Sequence, residues 1–137
     1  MTTAGTLKEV PLLSCLNQRE LKRLARSVRE QTFPAGTTVL REGKMSGVGF
    51  FIISDGEASV SVGGKEITRL GPGDHFGELG LIGHRVRSAT VTALTPLTCN
   101  VMATWDLEQL VKSSPSTAWK LLQHVVDMLA EERARHS

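Results

Sequence analysis

The residues best suited to chemistry lie in the segment 76–91. Gly77 lets the backbone approach a ligand closely, and the apolar run after it can form one helical turn whose free N–H groups attract an anion. The ionised carboxylate of Glu78 only accepts hydrogen bonds, which suits a sugar hydroxyl and repels a phosphate. Arg87 carries a planar set of donors that matches a phosphate. These residue types, placed so close together, indicate a nucleotide site.

This segment resembles the phosphate-binding cassette of cyclic nucleotide-binding domains, the superfamily of the bacterial catabolite activator protein and the regulatory subunit of protein kinase A. The opening Phe-Gly-Glu-Leu, the spacing to the arginine and the closing Arg-Ser-Ala-Thr-Val all match. Segments 33–37, 41–43, 50–57 and 70–74 are similar to the strand and turn signatures of the same family. The resemblance therefore covers about the whole chain.

The resemblance implies a role for each polar residue of the cassette. Arg87 would bind the phosphate, and Glu78 would bind the ribose 2′-hydroxyl, although this carboxylate could also cap the cassette helix. Ser88 would contact the phosphate and favours cAMP over cGMP. No cofactor other than this ligand is expected. The predicted ligand-binding residues are Gly77, Glu78, Leu79, Arg87, Ser88 and Ala89.

The base and sugar side of the pocket is predicted from the resemblance as well. Strand residues would line it, with ordinary barrel core as the alternative interpretation. Family members often close the pocket with groups of the C-terminal helix. The residues predicted to line the pocket in this chain are Val60, Thr68, Leu129, Glu132 and Arg133.

Composition describes an ordinary soluble protein. The 137 residues suffice for one domain with a sizeable core, and 40% are hydrophobic and 22% charged. A net charge of +2 is too small to predict a nucleic acid or an anionic membrane as partner. No apolar run approaches the ~20 residues that cross a bilayer, and no secretory signal is recognisable. The expected location is the cytoplasm. Cys15 and Cys99 are too few for an iron–sulfur cluster.

The pattern along the chain predicts one domain, 1–137, in three parts. Helix is predicted in 7–30, a barrel in 31–103 and helices in 104–135. Short strand-like runs between turn dipeptides such as Asp55-Gly56 and Gly63-Gly64 indicate hairpins. The predicted fold is therefore mainly β with flanking helices, an antiparallel β-barrel (jelly roll, cyclic nucleotide-binding type) with an N-terminal helix and C-terminal helices.

The N-terminal helix has a recognisable start and two distinct faces. Asn17 followed by Glu20 predicts a capping box. One face is apolar and is formed by Leu21, Leu24, Ala25 and Val28. The other face is basic and carries Lys22, Arg23, Arg26 and Arg29. It could bind a polyanion, but a solvated helix surface is the favoured interpretation.

Two C-terminal helices are predicted, with Thr104 as the first N-cap, Pro115 as the stop and Ser116 as the second cap. The last helix, 117–135, carries two adjacent apolar stripes. The first consists of Trp119, Leu122, Val126 and Leu129, and the second of Leu121, Val125 and Met128. Such a wide apolar surface can bury one side on the barrel and the other on a partner chain, or it can form a single face packed on its own barrel. The family resemblance favours the first arrangement, a homodimer formed through this helix.

The favoured function is a non-catalytic regulatory module that binds a cyclic nucleotide, with cAMP as the favoured ligand. Binding would be signalled to an effector through a movement of the C-terminal helix. An effector protein, or an effector domain outside this chain, would read the signal. A second hypothesis keeps the fold as a dimerisation or docking module, or as a sensor of another small ligand. The least favoured is a cupin-like metal enzyme using His75, Glu78 and His84.

Overall fold

The computed structural model describes residues 4–44, 49–77 and 87–135. Within these ranges, the chain starts with α1 (Ala4–Lys8), a 3-10 helix (Pro11–Leu13) and α2 (Gln18–Ser27). The strands are β1 (Arg29–Phe33), β2 (Thr38–Leu40), β3 (Phe50–Asp55), β4 (Ala58–Val62), β5 (Lys65–Leu70), β6 (His75–Phe76), β7 (Thr90–Ala93) and β8 (Leu97–Met102). The C-terminal helices are α3 (Thr104–Ser113) and α4 (Pro115–Arg135). Of the helices described, none is long and apolar enough to cross a membrane.

The described strands form two antiparallel sheets of four strands each. The order is β1-β8-β3-β6 in one sheet and β2-β7-β4-β5 in the other. Consecutive strands mostly alternate between the sheets, which is the double-sheet arrangement of a jelly roll. The predicted fold class is confirmed.

The turn at Asp55-Gly56 differs from its prediction as a hairpin. It joins β3 to β4, which belong to different sheets. Gly56 has φ +91°, and a Cβ there would lie 2.2 Å from the carbonyl oxygen of Pro96. Two connections between the sheets therefore pass side by side, and only glycine leaves room for both. The Gly63-Gly64 turn, by contrast, does close a hairpin, because Val62 pairs with Lys65 across β4 and β5.

Alternate residues of β3 supply two separate hydrophobic cores. Phe51 and Ile53 face the space between the sheets, together with Phe76 and Leu97. The side chains of Phe50 and Ile52 point the other way, into a second core formed with the helices. Because both faces are covered, this strand is apolar at four consecutive positions.

The N-terminal helices form the outer wall of the second core. The capping box of α2 is confirmed: Asn17 Oδ1 accepts from the Glu20 N–H at 2.9 Å, and Glu20 Oε1 accepts from the Asn17 N–H at 2.8 Å. Leu21 and Leu24 are fully buried, as their spacing predicts. Helix was predicted to residue 30, but Arg29 already pairs with Val101 as the first residue of β1. Arg29 therefore lies on a strand and not on the basic face of α2.

The two C-terminal helices begin earlier than predicted. Thr104 is the first residue of α3, and the preceding Ala103 N–H donates to the Asp106 carboxylate at 3.0 Å. Pro115 starts α4, which suits a residue without an N–H group. The hydroxyl of Ser114 accepts from the Thr117 N–H at 3.4 Å, so Ser114 takes the capping role that was predicted for Ser116.

Candidate functional site

The guanidinium of Arg87 lies against two backbone carbonyls at one end of the jelly roll. Its Nη1 donates to the carbonyl oxygen of Gly77 at 3.3 Å, and its Nη2 donates to that of Gly49 at 3.1 Å. Burial lowers the pKa of the Arg87 guanidinium. The group nevertheless stays charged, because the arginine guanidinium is not deprotonated in proteins. The structure therefore holds a permanent positive charge beside Gly77.

Gly77 is required at this position for both backbone and steric reasons. Its φ is +81°, in the left-handed region that side chains disfavour. A Cβ added there would lie 3.1 Å from Arg87 Nη1 and 3.2 Å from the carbonyl oxygen of Gly49. The space left by the missing side chain of Gly77 was predicted to admit a ligand. In the structure the side chain of Arg87 lies in that space.

The backbone of Arg87 is fixed by the segment that follows β2. The Arg87 N–H donates to the carbonyl oxygen of Lys44, and the Gly43 N–H donates to that of Arg87, both at 2.9 Å. Nearby, the Glu42 N–H donates to Thr90 Oγ1 at 3.0 Å. These bonds extend the pairing of β2 with β7 toward the site.

Glu42 is a supporting residue that was not singled out in the sequence. Its Oε1 accepts from the Gly63 N–H at 2.8 Å. The carboxylate thereby links the segment after β2 to the β4–β5 hairpin. The sequence contained one signal for this residue, the Arg-Glu-Gly motif at 41–43, which is part of the family resemblance. The resemblance assigned no role to Glu42.

The other predicted cassette residues are placed only in part. Ser88 follows Arg87 and is exposed, and Ala89 is half-buried. Glu78 and Leu79 lie outside the described residues, so the ribose contact and the backbone donor stay predictions.

Val60 and Thr68 are neighbours on adjacent strands. They are paired across β4 and β5, and Val60 also pairs with Val91 of β7. Val60 packs against the core between the sheets, whereas Thr68 is exposed. Their cross-strand position is compatible with one wall of a pocket. Val62 lies two residues beyond Val60, on the same face of β4, and is 40% exposed.

The predicted lid residues lie on the distal part of α4. This helix packs against α3 and the 3-10 helix. Leu129 is 51% exposed, and Glu132 pairs with Arg135 at 3.3 Å on the helix surface. Arg133 is exposed as well.

Three side chains of α4 anchor it to the N-terminal helices. Lys120 Nζ donates to Glu20 Oε1 at 2.6 Å, and the Thr117 hydroxyl donates to Glu20 Oε2. His124 Nε2 lies 2.6 Å from the carbonyl oxygen of Pro11. The position of α4 therefore depends on a buried carboxylate of α2.

The described residues contain no group of three potential metal ligands. Of the three residues considered for a metal site, only His75 is described, and its ring lies 5.5 Å from that of Phe50. Glu78 and His84 lie outside the described residues. Cys99 is buried, and burial raises the pKa of its thiol to about 11.

Comparisons with known proteins agree with this architecture. The cyclic nucleotide-binding domain family profile matches residues 30–114. The chain is 38% identical over 137 residues to a cAMP-dependent protein kinase regulatory subunit of Schizosaccharomyces pombe, which covers 98% of this chain and 30% of that protein. A cyclic nucleotide-gated potassium channel of Mesorhizobium japonicum is 38% identical over 109 residues, covering 80% of this chain and 30% of the channel.

One solved structure has the same fold as this chain over almost the entire length of both. The N-terminal domain of a transcriptional regulator from Streptomyces coelicolor superposes with a TM-score of 0.78 at 25% identity, covering 96% of this chain and 95% of that domain. The chain belongs to the cyclic nucleotide-binding domain family. It is homologous to regulatory domains of kinases and channels, and it spans about 30% of the length of the two curated relatives above.

Proposed function

We propose that this chain is a non-catalytic regulatory module that binds a 3′,5′-cyclic nucleotide, with cAMP preferred over cGMP. One observation carries the proposal: the charged guanidinium of Arg87 is held beside the backbone of Gly77, inside the segment matched by the family. A phosphate pairs well with such a charge, because the planar donors of a guanidinium match its oxygens. The relatives from Schizosaccharomyces pombe and Mesorhizobium japonicum carry cAMP and cyclic nucleotide in their names, which supports the ligand class.

The support around Arg87 favours tight phosphate binding. Its guanidinium is restrained by the carbonyls of Gly77 and Gly49, and its backbone by the segment at 43–44. A restrained side chain loses less conformational entropy when it binds, so more of the interaction energy appears as affinity. In the proposal, Glu78 accepts from the ribose 2′-hydroxyl and Leu79 donates its N–H to the phosphate.

The preference for cAMP rests on Ser88, which directly follows the phosphate-binding arginine and is exposed. In this proposal a threonine at the same position would add a contact that favours guanine. Val60 and Thr68 line the base side from β4 and β5. Leu129, Glu132 and Arg133 approach the base only when α4 changes its position.

In the proposal, ligand binding is signalled to an effector through a change in the contacts that hold α4 against the N-terminal helices. In the described structure this helix is tied to α2 through Glu20 and to the 3-10 helix through His124. A ligand that recruits the distal part of α4 must shift these contacts, and the two positions of the helix are the signal. A partner protein, or a domain of a longer chain, would read that signal. A cytoplasmic location is part of the same proposal.

A homodimer through α4 is a further part of the proposal, supported by an unusual apolar surface. Trp119, Leu122, Val126 and Leu129 are between 51% and 62% exposed although they are large and apolar. Their steps of three and four residues are those of a helix–helix interface. The same surface favours the alternative in which the fold serves as a docking module.

Titration calorimetry tests the proposed ligand. The wild-type chain is titrated with cAMP, cGMP and 5′-AMP, which has an open phosphate of higher charge. We expect cAMP to bind most tightly, and we expect a Ser88→Thr variant to narrow the difference between cAMP and cGMP. Absence of binding to either cyclic nucleotide at millimolar concentration would contradict the proposal and leave the docking module as the remaining interpretation.

A further inference from the structure

A second positively charged site lies at the junction of α2, α3 and α4. It is a cleft of about 520 Å³, here called the basic cleft. Four cationic side chains line it, together with hydroxyl groups and one carboxylate. The charged side chains that line it, and the hydroxyl bonded to one of them, belong to Arg19, Arg23, Arg26, Lys120, Glu20 and Ser113.

The arginines of the basic cleft share one face of α2. Positions 19, 23 and 26 are spaced i, i+4 and i+7, so their side chains lie above one another along the helix. Like charges at this spacing repel and weaken a helix. Arg19 and Arg26 are exposed, and Arg23 donates to the neutral Ser113 hydroxyl at 2.9 Å. Among the described residues, no carboxylate lies within ion-pair distance of any of the three.

The only cation of the cleft with a recorded carboxylate partner in the described chain is Lys120. Its partner Glu20 is buried at the base of the cleft and is already bonded to Thr117 and Asn17. One carboxylate therefore faces four cations, and the cleft keeps a net positive charge. Such an arrangement of arginine donors is suited to bind oxyanions from outside the chain.

We propose that the basic cleft docks an acidic segment of a partner protein. Arg19 and Arg23 are about 6 Å apart along the axis of α2, and the run to Arg26 is about 10 Å. In an extended peptide, side chains on one face repeat every ~6.7 Å, so two alternate glutamates or aspartates match the separation of Arg19 and Arg23. A nucleic acid needs a longer basic track, because its charge continues along the strand, whereas this cleft is closed by α3 and by the first turns of α4.

The test uses fluorescence anisotropy with the full chain at low salt. The probes are a labelled hexaglutamate peptide, a hexaglutamine peptide and a single-stranded oligonucleotide of equal charge. The variant Arg19→Gln/Arg26→Gln removes two charges from the cleft and keeps good helix formers. The matched control Lys8→Gln/Lys65→Gln removes two charges from exposed positions of α1 and β5, away from the cleft.

We expect the wild type to bind hexaglutamate and not hexaglutamine. The cleft variant should bind hexaglutamate about tenfold more weakly, while the control should change affinity by less than about twofold. Equal losses in both variants, or no hexaglutamate binding at millimolar concentration, would overturn the proposal. Tighter binding of the oligonucleotide than of the peptide would also overturn it. The peptide outcomes do not depend on the proposed function, because no cyclic nucleotide is present in the assay.

Discussion

Arg87 Nη1 donates a hydrogen bond to the carbonyl oxygen of Gly77, ten residues earlier in the chain, at 3.3 Å. This contact brings together the two ends of the cassette in the described structure. A backbone carbonyl is a weaker acceptor for a guanidinium than a charged oxygen. The carbonyls of Gly77 and Gly49 therefore each compete less with a bound phosphate for the guanidinium than a carboxylate in the same place would.

Replacing Arg87 with alanine should remove most of the affinity for the cyclic nucleotide. Loss of a desolvated charge pair costs about 2–5 kcal/mol, which corresponds to a roughly thirtyfold to several-thousandfold weaker dissociation constant. Titration calorimetry with cAMP measures this. Arg29→Ala, at an exposed position of β1, is the control and should bind as the wild type does. A loss below about fivefold for Arg87→Ala would remove the arginine from the site.

The variant Gly77→Ala should lose both stability and affinity. A residue with a side chain in the left-handed region costs about 1–2 kcal/mol, and the new Cβ would also press on Arg87 Nη1. Gly36→Ala is a matched control: Gly36 has φ +87°, and a Cβ there meets nothing within 4 Å.

Both glycine variants should therefore unfold earlier in urea, and Gly77→Ala should lose at least as much stability as Gly36→Ala. Only Gly77→Ala should bind cAMP more weakly, as measured by calorimetry on folded protein. Equal nucleotide affinities in the two variants would show that the Gly77–Arg87 approach does not matter for binding.

Glu20→Gln should destabilise the domain by about 1–3 kcal/mol at neutral pH, because it weakens a buried, multiply bonded carboxylate. Burial alone raises the pKa of the Glu20 carboxyl, but the hydrogen bonds from Lys120, Thr117 and the Asn17 backbone together outweigh burial and lower it. A lowered pKa stabilises the folded state fully above the ordinary glutamate value of about 4.3. This contribution is lost as the pH falls through the folded-state pKa.

Urea unfolding at a series of pH values checks this prediction. The stability difference between wild type and Glu20→Gln should be constant near neutrality and should shrink below about pH 4.3. Glu30→Gln, at an exposed position of β1, provides the control and should stay within about 0.5 kcal/mol of the wild type. A difference that grows toward acid pH would contradict the predicted direction of the shift.

The exposed stripe of α4 should control self-association. We expect the wild type to form dimers with rising concentration, and Leu122→Glu/Val126→Glu to remain monomeric, because charges oppose burial of this stripe. Sedimentation velocity measures both. Since these side chains are 54% and 56% exposed, the folded monomer should lose little stability. Ile67→Glu, at a 61% exposed apolar residue of β5, is the control. A wild-type chain that stays monomeric at high concentration would contradict the homodimer.

Local signals in the sequence predicted much of this fold. Asn17 and Glu20 lie three residues apart, so their capping box depends only on nearby atoms, and it is confirmed. The glycine pair at 63–64 likewise determines a tight hairpin. Asp55-Gly56 carries an equally strong turn signal, yet its flanking strands join different sheets. A turn signal predicts a reversal, but it does not specify which strands pair, and here the two strands belong to different sheets.

The candidate site could be predicted only in outline. The spacing of Gly77 and Arg87 identified both residues, and the structure brings them into contact. The second acceptor, Gly49, lies 38 residues from Arg87 and carries no side chain that could have indicated it. Similarly, the bond between Lys120 and Glu20 spans 100 residues. Contacts of this kind arise only when distant strands and helices are assembled, and no local pattern encodes them.

The division of β3 between two hydrophobic cores has a consequence for how the domain unfolds. Detaching the helices would expose Phe50 and Ile52 on a strand whose opposite face carries Phe51 and Ile53. The jelly roll would then keep a water-exposed apolar surface along one of its inner strands. Helical layer and sheets should consequently melt in one cooperative transition, with no stable barrel left behind.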